Sequence, residues 1–332
     1  YFYRLSIQPN PPGSHQSMSR EWQQRLIREI DNFRLAVQMA TEIDQAIGLR
    51  ICVQLNQAIP VEKNHELVSW MESLLAAEAK ETTGDGGQPR TLECTIARGD
   101  VLTALGDFRT YWGQSELAKQ ALLESKTIFE EILQSKPAYF PYTVSRTYMC
   151  LGILYLTSDP EQSLSYLKTA LDLALEHGEH KMIPRVYTVL ANVYGYFGEL
   201  DQAVACAEEG LRLSRVQNQI CDEGLITCYI GQFESMRGNK RANEYYQQSL
   251  DLWSKLQGFE NNVSWVLFEQ ARAAWGRGEI QQVLQKCDAM TALYQETKCP
   301  RFDLNSQVLR AWVEWGQGDY DLAARRCQEA LD

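Results

Sequence analysis

Four glycines, Gly198, Gly238, Gly278 and Gly318, recur at one constant interval of about 40 residues. A fixed period of that size calls for a stack of similar supersecondary units, none of which buries its apolar face alone. Three of the glycines open related strings, Gly198-Glu199-Leu200, Gly278-Glu279-Ile280 and Gly318-Asp319-Tyr320, while Gly238-Asn239-Lys240 is a weaker copy. A small residue stands seven places before each: Ala191, Gly231, Ala271 and Ala311. Four or five places after it come Ala203, Ala242, Val283 and Ala323, with Val283 the exception to smallness. The pattern extends backwards to Gly113, flanked by Gly106 and Ala118, with Leu102, Leu105, Leu122 and Ser125 at the places a helical hairpin would bury. In the next unit Asp159 takes the place of the glycine, between Gly152 and Ser163. Six units therefore run from about residue 91 to the end.

The landmarks are helically spaced. Tyr187, Leu190, Ala191 and Tyr194 fall at i, i+3, i+4 and i+7, and after the turn Ala203, Ala207, Gly210 and Leu211 fall at i, i+4, i+7 and i+8, again one helix face. Each unit is expected to be a helix, a tight turn and an antiparallel helix. Glycine at the turn admits the left-handed conformation that ends the first helix, and the following acid favours the next helix's N-terminus. Small residues at the crossing points allow close approach. Pro137, Pro141, Pro160, Pro184 and Pro300 fall between helices or at their starts, where the missing N–H costs nothing. No sustained apolar/polar alternation marks a strand.

The first 90 residues follow a different plan. Residues 8–18, with Pro9, Pro11, Pro12 and Gly13, read as a loop. A helix is expected from about Arg20 to Glu42, carrying Trp22, Leu26, Ile30, Phe33, Leu35, Ala36 and Met39, then helices near 46–58 and 62–79 separated by Pro60. Glu81 to Pro89, with Gly84, Gly86 and Gly87, reads as a connector. It lacks the Gly-Lys-Ser/Thr ending and the preceding strand of a phosphate cradle. The domain expectation is thus a helical region over 1–90 leading into repeats over 91–332.

Composition narrows the function classes. A net charge of −11 disfavours sequence-independent binding to phosphate backbones or anionic lipid. No apolar run approaches the roughly 20 residues of a membrane span, and Tyr1-Phe2-Tyr3-Arg4-Leu5 is no secretory leader, so the sequence reads as cytosolic. Nine cysteines, an odd number and never in Cys-x-x-Cys, read as reduced thiols, mostly buried as small apolar groups. The first residue is not Met and the last lie in a helical pattern, so the sequence reads as a piece of something longer.

Helical hairpins with small residues and glycine in this order resemble the tetratricopeptide repeat (TPR), over roughly residues 91–332, more than two thirds of the chain. The usual period is about 34 residues, against about 40 here. The longer repeat resembles those of bacterial signal-transduction ATPases (STAND proteins), including LuxR-like and maltose-regulator-like activators. Glu21-Trp22-Gln23-Gln24-Arg25-Leu26 and Glu29-Ile30-Asp31-Asn32-Phe33-Arg34-Leu35-Ala36 look like the segment before the repeats in those proteins, with Tyr1-Phe2-Tyr3 as the tail of an upstream helix. The resemblance implies an all-α, right-handed α-α superhelix, a TPR-like solenoid acting as the sensor or scaffold segment of a regulator whose nucleotide-binding domain is a covalent neighbour missing from this chain. The sequence holds no Walker lysine loop, so no nucleotide binding is expected of the segment itself.

No catalytic, metal-binding or cofactor-binding set is expected. His15, His65, His177 and His180 join no nucleophile elbow or zinc helix. His177 and His180 flank Gly178 at a helix end, Cys221 and Cys228 are read as stacked core thiols, and Glu130-Glu131 and Glu208-Glu209 as solvated faces. Ligand binding is the stronger expectation. By the resemblance, the second, fifth, ninth and twelfth places of each first helix line a concave groove. In the last two units these are Trp265, Phe268, Arg272 and Trp275, then Asn305, Val308, Trp312 and Trp315. Five aromatics and an arginine are residue types that dominate interface energetics. The expected partner is a protein, peptide or small effector. The opposing reading packs several of these tryptophans between helices, Trp275 and Trp315 in equivalent places, and leaves an oligomerisation scaffold with an empty groove. Earlier units are polar inside, with Asp100, Thr103 and Asp107, then Arg146 and Met149, then Arg185, Thr188 and Asn192. They lack the lysine and asparagine clamp for a terminal carboxylate.

Overall fold

The computed structural model describes residues 26, 28–56, 65–83, 91–135, 143–256 and 259–331. Expectations resting on Tyr1 to Tyr3, on residues 8–18, on Trp22, on Pro60, on Gly84, Gly86 and Gly87, and on Pro137 and Pro141 lie outside the described residues. Among the described residues all regular structure is helical: α1 (Ile30–Ile43), α2 (Gln45–Asn56), α3 (His65–Thr83), α4 (Leu92–Tyr111), α5 (Ser115–Ser135), α6 (Thr143–Tyr155), α7 (Pro160–Glu176), α8 (Ile183–Tyr196), α9 (Leu200–Val216), α10 (Ile220–Met236), α11 (Ala242–Trp253), α12 (Glu260–Gly276), α13 (Ile280–Thr297), α14 (Pro300–Gln317) and α15 (Tyr320–Leu331). The chain divides into two compact units, 1–193 and 194–332.

In the first unit α1 to α3 pack on one another, α2 packs on α4, and α4/α5 and α6/α7 form hairpins. Gly106 and Gly152 show why their positions are small. A Cβ at Gly106 would lie 2.4 Å from Leu122 Cγ, and one at Gly152 2.5 Å from Leu167 Cγ, so each leucine of the second helix occupies the space a side chain would need. Ser163, fully buried on α7, donates its hydroxyl to the Gly152 carbonyl at 2.6 Å and ties the crossing together. Asp159 replaces glycine by other means than a left-handed turn. Its φ is −152° and its side chain accepts from Gln162 N, making it the N-cap of α7, with Pro160 in the first turn.

Between α4, α5 and α6 lies a buried group of hydroxyls. Thr103 Oγ1 stands 2.8 Å from Ser125 Oγ and 2.7 Å from Thr147 Oγ1, and the first two hydroxyls also reach the Gly99 carbonyl. Thr103 is therefore core and not groove, as are Met149 and Thr188, the latter bonded to the Pro184 carbonyl. In a helix interior a β-hydroxyl satisfies itself locally or across a tight crossing, and burial follows.

The second unit repeats the plan with α9/α10, α10/α11, α12/α13, α13/α14 and α14/α15 in contact, while α10, α12 and α14 neighbour one another as a row of first helices. Gly198, Gly238, Gly278 and Gly318 all hold φ between +73° and +90°, the left-handed conformation that the period predicted. Ala203, Ala242, Val283 and Ala323 are buried at the crossings. Glu199 and Glu279 occupy N-cap places without a side-chain cap bond, so their contribution there is charge alone.

The N-terminal helices depart from the expectation in their exposed face. Phe33 and Val37 are buried, but Leu35, Met39 and Ile43 on α1 and Ile47 on α2 are exposed. Leu35 and Met39 stand two places from a buried residue, about 200° round the helix from it, and so face away from that core.

Candidate functional site

The predicted groove residues belong to α12 and α14 of the second unit, and the structure separates them by role. Trp265 and Phe268 are partly buried. Trp265 meets Tyr229 of α10 edge-on at 5.2 Å between ring centroids, and Phe268 meets Trp312 of α14 edge-on at 6.2 Å. These contacts form an aromatic rung between each pair of neighbouring first helices, an arrangement favoured by ring quadrupoles. Asn305 and Val308 are likewise partly buried.

Trp275 and Trp315, equivalent in the repeat, have different surroundings. The Trp275 ring lies where a Cβ at Gly316 would come within 2.3 Å of its Cη2, so it packs between α12 and α14. Trp315 finds no following first helix among the described residues and is 63% exposed. Trp265, Trp275 and Trp312 each keep part of their surface open. The four tryptophans are thus not all enclosed, and the packing reading holds in part for Trp265, Trp275 and Trp312, which pack against neighbouring first helices, but not for Trp315.

Arg272 shares the α12 face with Trp265, Phe268 and Trp275 by its helical spacing; its side chain is 48% exposed, and its Nη2 pairs at 2.6 Å with Oε2 of Glu269, whose side chain is 7% exposed. Glu269 also accepts from the Gln232 side chain of α10. Burial raises the Glu269 pKa above the usual carboxylate value, opposed by Arg272 and Gln232. The sequence reading missed Glu269, Tyr229 and Gln232. A signal was present for Glu269: at the same place one repeat earlier and one repeat later stand Tyr229 and Leu309, so an acid replaces residues that pack.

The first-unit positions form a polar counterpart. Arg146 pairs with Asp107 at 2.7 Å. Asp100 accepts from Thr143, its Oδ1 is buried without a hydrogen-bond partner, and desolvation pushes its pKa up to about 6 against the attraction of Arg146 and Arg50. On the other side of the second unit, Arg212 and Arg215 border a shallow cleft between α9 and α11, but Glu209 and Glu223 already engage them. Of the nine thiols Cys52, Cys150, Cys228 and Cys287 are buried, four are partly buried and Cys327 is exposed; burial raises the Cys150 and Cys228 pKa. Among the described residues no three His, Cys, Asp or Glu side chains gather as a metal site, and no helix is long and apolar enough to cross a membrane.

Tetratricopeptide-repeat family models match residues 184–217 and 305–329. The chain is similar to tetratricopeptide-repeat proteins. No curated protein sequence matches it. Among solved structures it resembles a Rap protein complexed with Competence and Sporulation Factor (13% identity, TM-score 0.67, covering 98% of this chain and 83% of that one). It also resembles NprR in complex with its cognate peptide NprX (13% identity, TM-score 0.62, 95% and 89%). A third likeness is to a STAND protein with a tetratricopeptide repeat sensor from Pyrococcus horikoshii (13% identity, TM-score 0.56), where 96% of this chain matches but only 47% of that one. These likenesses establish a TPR-like, all-α solenoid fold.

Proposed function

We propose that the chain is a non-catalytic effector-binding module that takes a peptide or protein segment on the first-helix face of its second unit, and that it serves as sensor or scaffold in a larger signalling regulator. The observation that carries the reading is the concentration on α12 and α14 of Trp315, Trp312, Trp265 and Phe268, all with open surface, around a half-exposed Arg272. Large rings left accessible beside an arginine are costly to solubility and favourable to binding. The ligands in the Rap and NprR complexes, Competence and Sporulation Factor and the peptide NprX, support the same class of ligand. The 47% coverage of the STAND protein supports a role as one segment of a regulator with a nucleotide-binding neighbour.

The test is a tryptophan-fluorescence screen of the purified chain against acetylated, amidated nonapeptides rich in apolar residues. A saturable change, abolished in Trp312→Ala, whose far-UV circular dichroism remains that of the folded parent, is the expected result. An unresponsive emission spectrum across the library, or a response that survives Trp312→Ala and Trp315→Ala together, overturns the reading in favour of an empty structural scaffold.

A further inference from the structure

The pairing of Arg272 with Glu269 is asymmetric, and this asymmetry bears on what the face selects. The carboxylate is 7% exposed and held from a second side by Gln232, whereas the guanidinium is 48% exposed. What the face presents outward is therefore the cation, fixed by a buried anion behind it. Arg272 commits Nη2 alone to the ion pair with Glu269. A guanidinium has five N–H donors in a rigid plane, so the outer edge remains available for a planar acceptor such as a carboxylate. Tethering removes much of the rotamer freedom that a surface arginine otherwise loses on binding.

The apolar surroundings lie on both sides of this cation. Along α12, Phe268 precedes Arg272 by one turn and Trp275 follows by just under one, and Trp312 of α14 meets Phe268 edge-on. From Trp265 to Trp275 the helix rises about 15 Å, the span of roughly five residues of extended chain. A ligand running over this face therefore meets rings before and after the guanidinium. A terminal carboxylate at Arg272 would leave the rings on one side uncovered.

Resting on the groove reading above, we propose that the second unit recognises an acidic side chain set between apolar residues in an extended peptide, with Arg272 as the binding cation and Glu269 as the residue that positions it. Lysine cannot reproduce the fork, which makes the site sensitive to guanidinium shape as well as to charge.

The experiment compares acetylated, amidated nonapeptides that carry leucine two places either side of a central aspartate or a central asparagine, together with a third that has the central position as its free C-terminus. Binding to the intact chain is read by tryptophan fluorescence and calorimetry. The aspartate peptide is expected to bind at least tenfold tighter than the asparagine peptide. That ratio should fall to near one in Arg272→Ala, recover only partly in Arg272→Lys, and shrink severalfold in Glu269→Gln while asparagine-peptide affinity and the melting temperature hold steady. A merely structural Glu269 would move all affinities together. Equal, saturable binding of the aspartate and asparagine peptides overturns the proposal and leaves the groove reading standing. Tightest binding by the free C-terminus also overturns it, replacing a side-chain acid with a terminal one. Fluorescence that responds to none of the three, nor to the wider library, removes both.

Discussion

Asp100 offers the sharpest quantitative test of how this chain spends stability on polar groups. Desolvation raises its pKa from 3.8 to about 6, outweighing the Thr143 hydrogen bond and the fields of Arg146 and Arg50. The native state then holds a proton that the unfolded state has released, so stability is complete below pH 3.8 and falls as pH rises towards 6. At about 1.36 kcal/mol for each pKa unit the full loss is about 3 kcal/mol, of which roughly half is already present at pH 5. Asp100→Asn removes the titration and keeps an acceptor for Thr143. Urea unfolding followed by circular dichroism should show the variant more stable than the parent at pH 7.5, with the gap wider by on the order of 1 kcal/mol than at pH 5. A variant that is less stable at pH 7.5, with a gap that narrows between pH 5 and 7.5, would show Asp100 to be an ionised partner of the arginines and refute the reasoning.

Two further substitutions probe the repeat geometry. Gly278→Ala places a Cβ in open space at φ +74°, so it should cost only the backbone penalty of about 1–2 kcal/mol, and a loss above about 3 kcal/mol in the unfolding free energy from urea titration would mean an unrecognised contact. Gly152→Ala drives a Cβ towards Leu167 and should cost about 1–3 kcal/mol; Leu167→Ala, costly alone, should cost less in that background, and strictly additive losses would disprove the packing account.

The period made the hairpins legible because each landmark reports a local requirement: a left-handed turn at Gly198 or Gly278, a close crossing at Ala203 or Gly106. Those requirements are met within one unit and leave a mark on one stretch of sequence. The surface around Arg272 was legible in its residue types and only partly in their roles. Trp275 and Trp315 look identical along the chain, and what distinguishes them is Gly316, which belongs to the next first helix. Glu269 escaped notice because a lone acid in a helix usually faces water, and its burial depends on Gln232 of the preceding first helix. Thr103 was assigned to the groove from its place in the repeat, yet its hydroxyl finds partners on α5 and α6 and turns inward.

That inward turn has a consequence for how the first unit comes apart. Stacked repeats unfold approximately as a line of units coupled to their nearest neighbours, and where the coupling is purely apolar a terminal hairpin can fray at modest cost. Here Thr103 belongs to one hairpin and Thr147 to the next, 2.7 Å apart and fully buried. Peeling α6 and α7 away gives up the directional Thr103–Thr147 contact in addition to apolar burial, while Thr103 and Ser125 keep each other and the Gly99 carbonyl. The α4 to α7 segment should therefore exchange its amide hydrogens as one cooperative block, and its thermal transition should be steeper than that of a solenoid held by leucine and alanine alone.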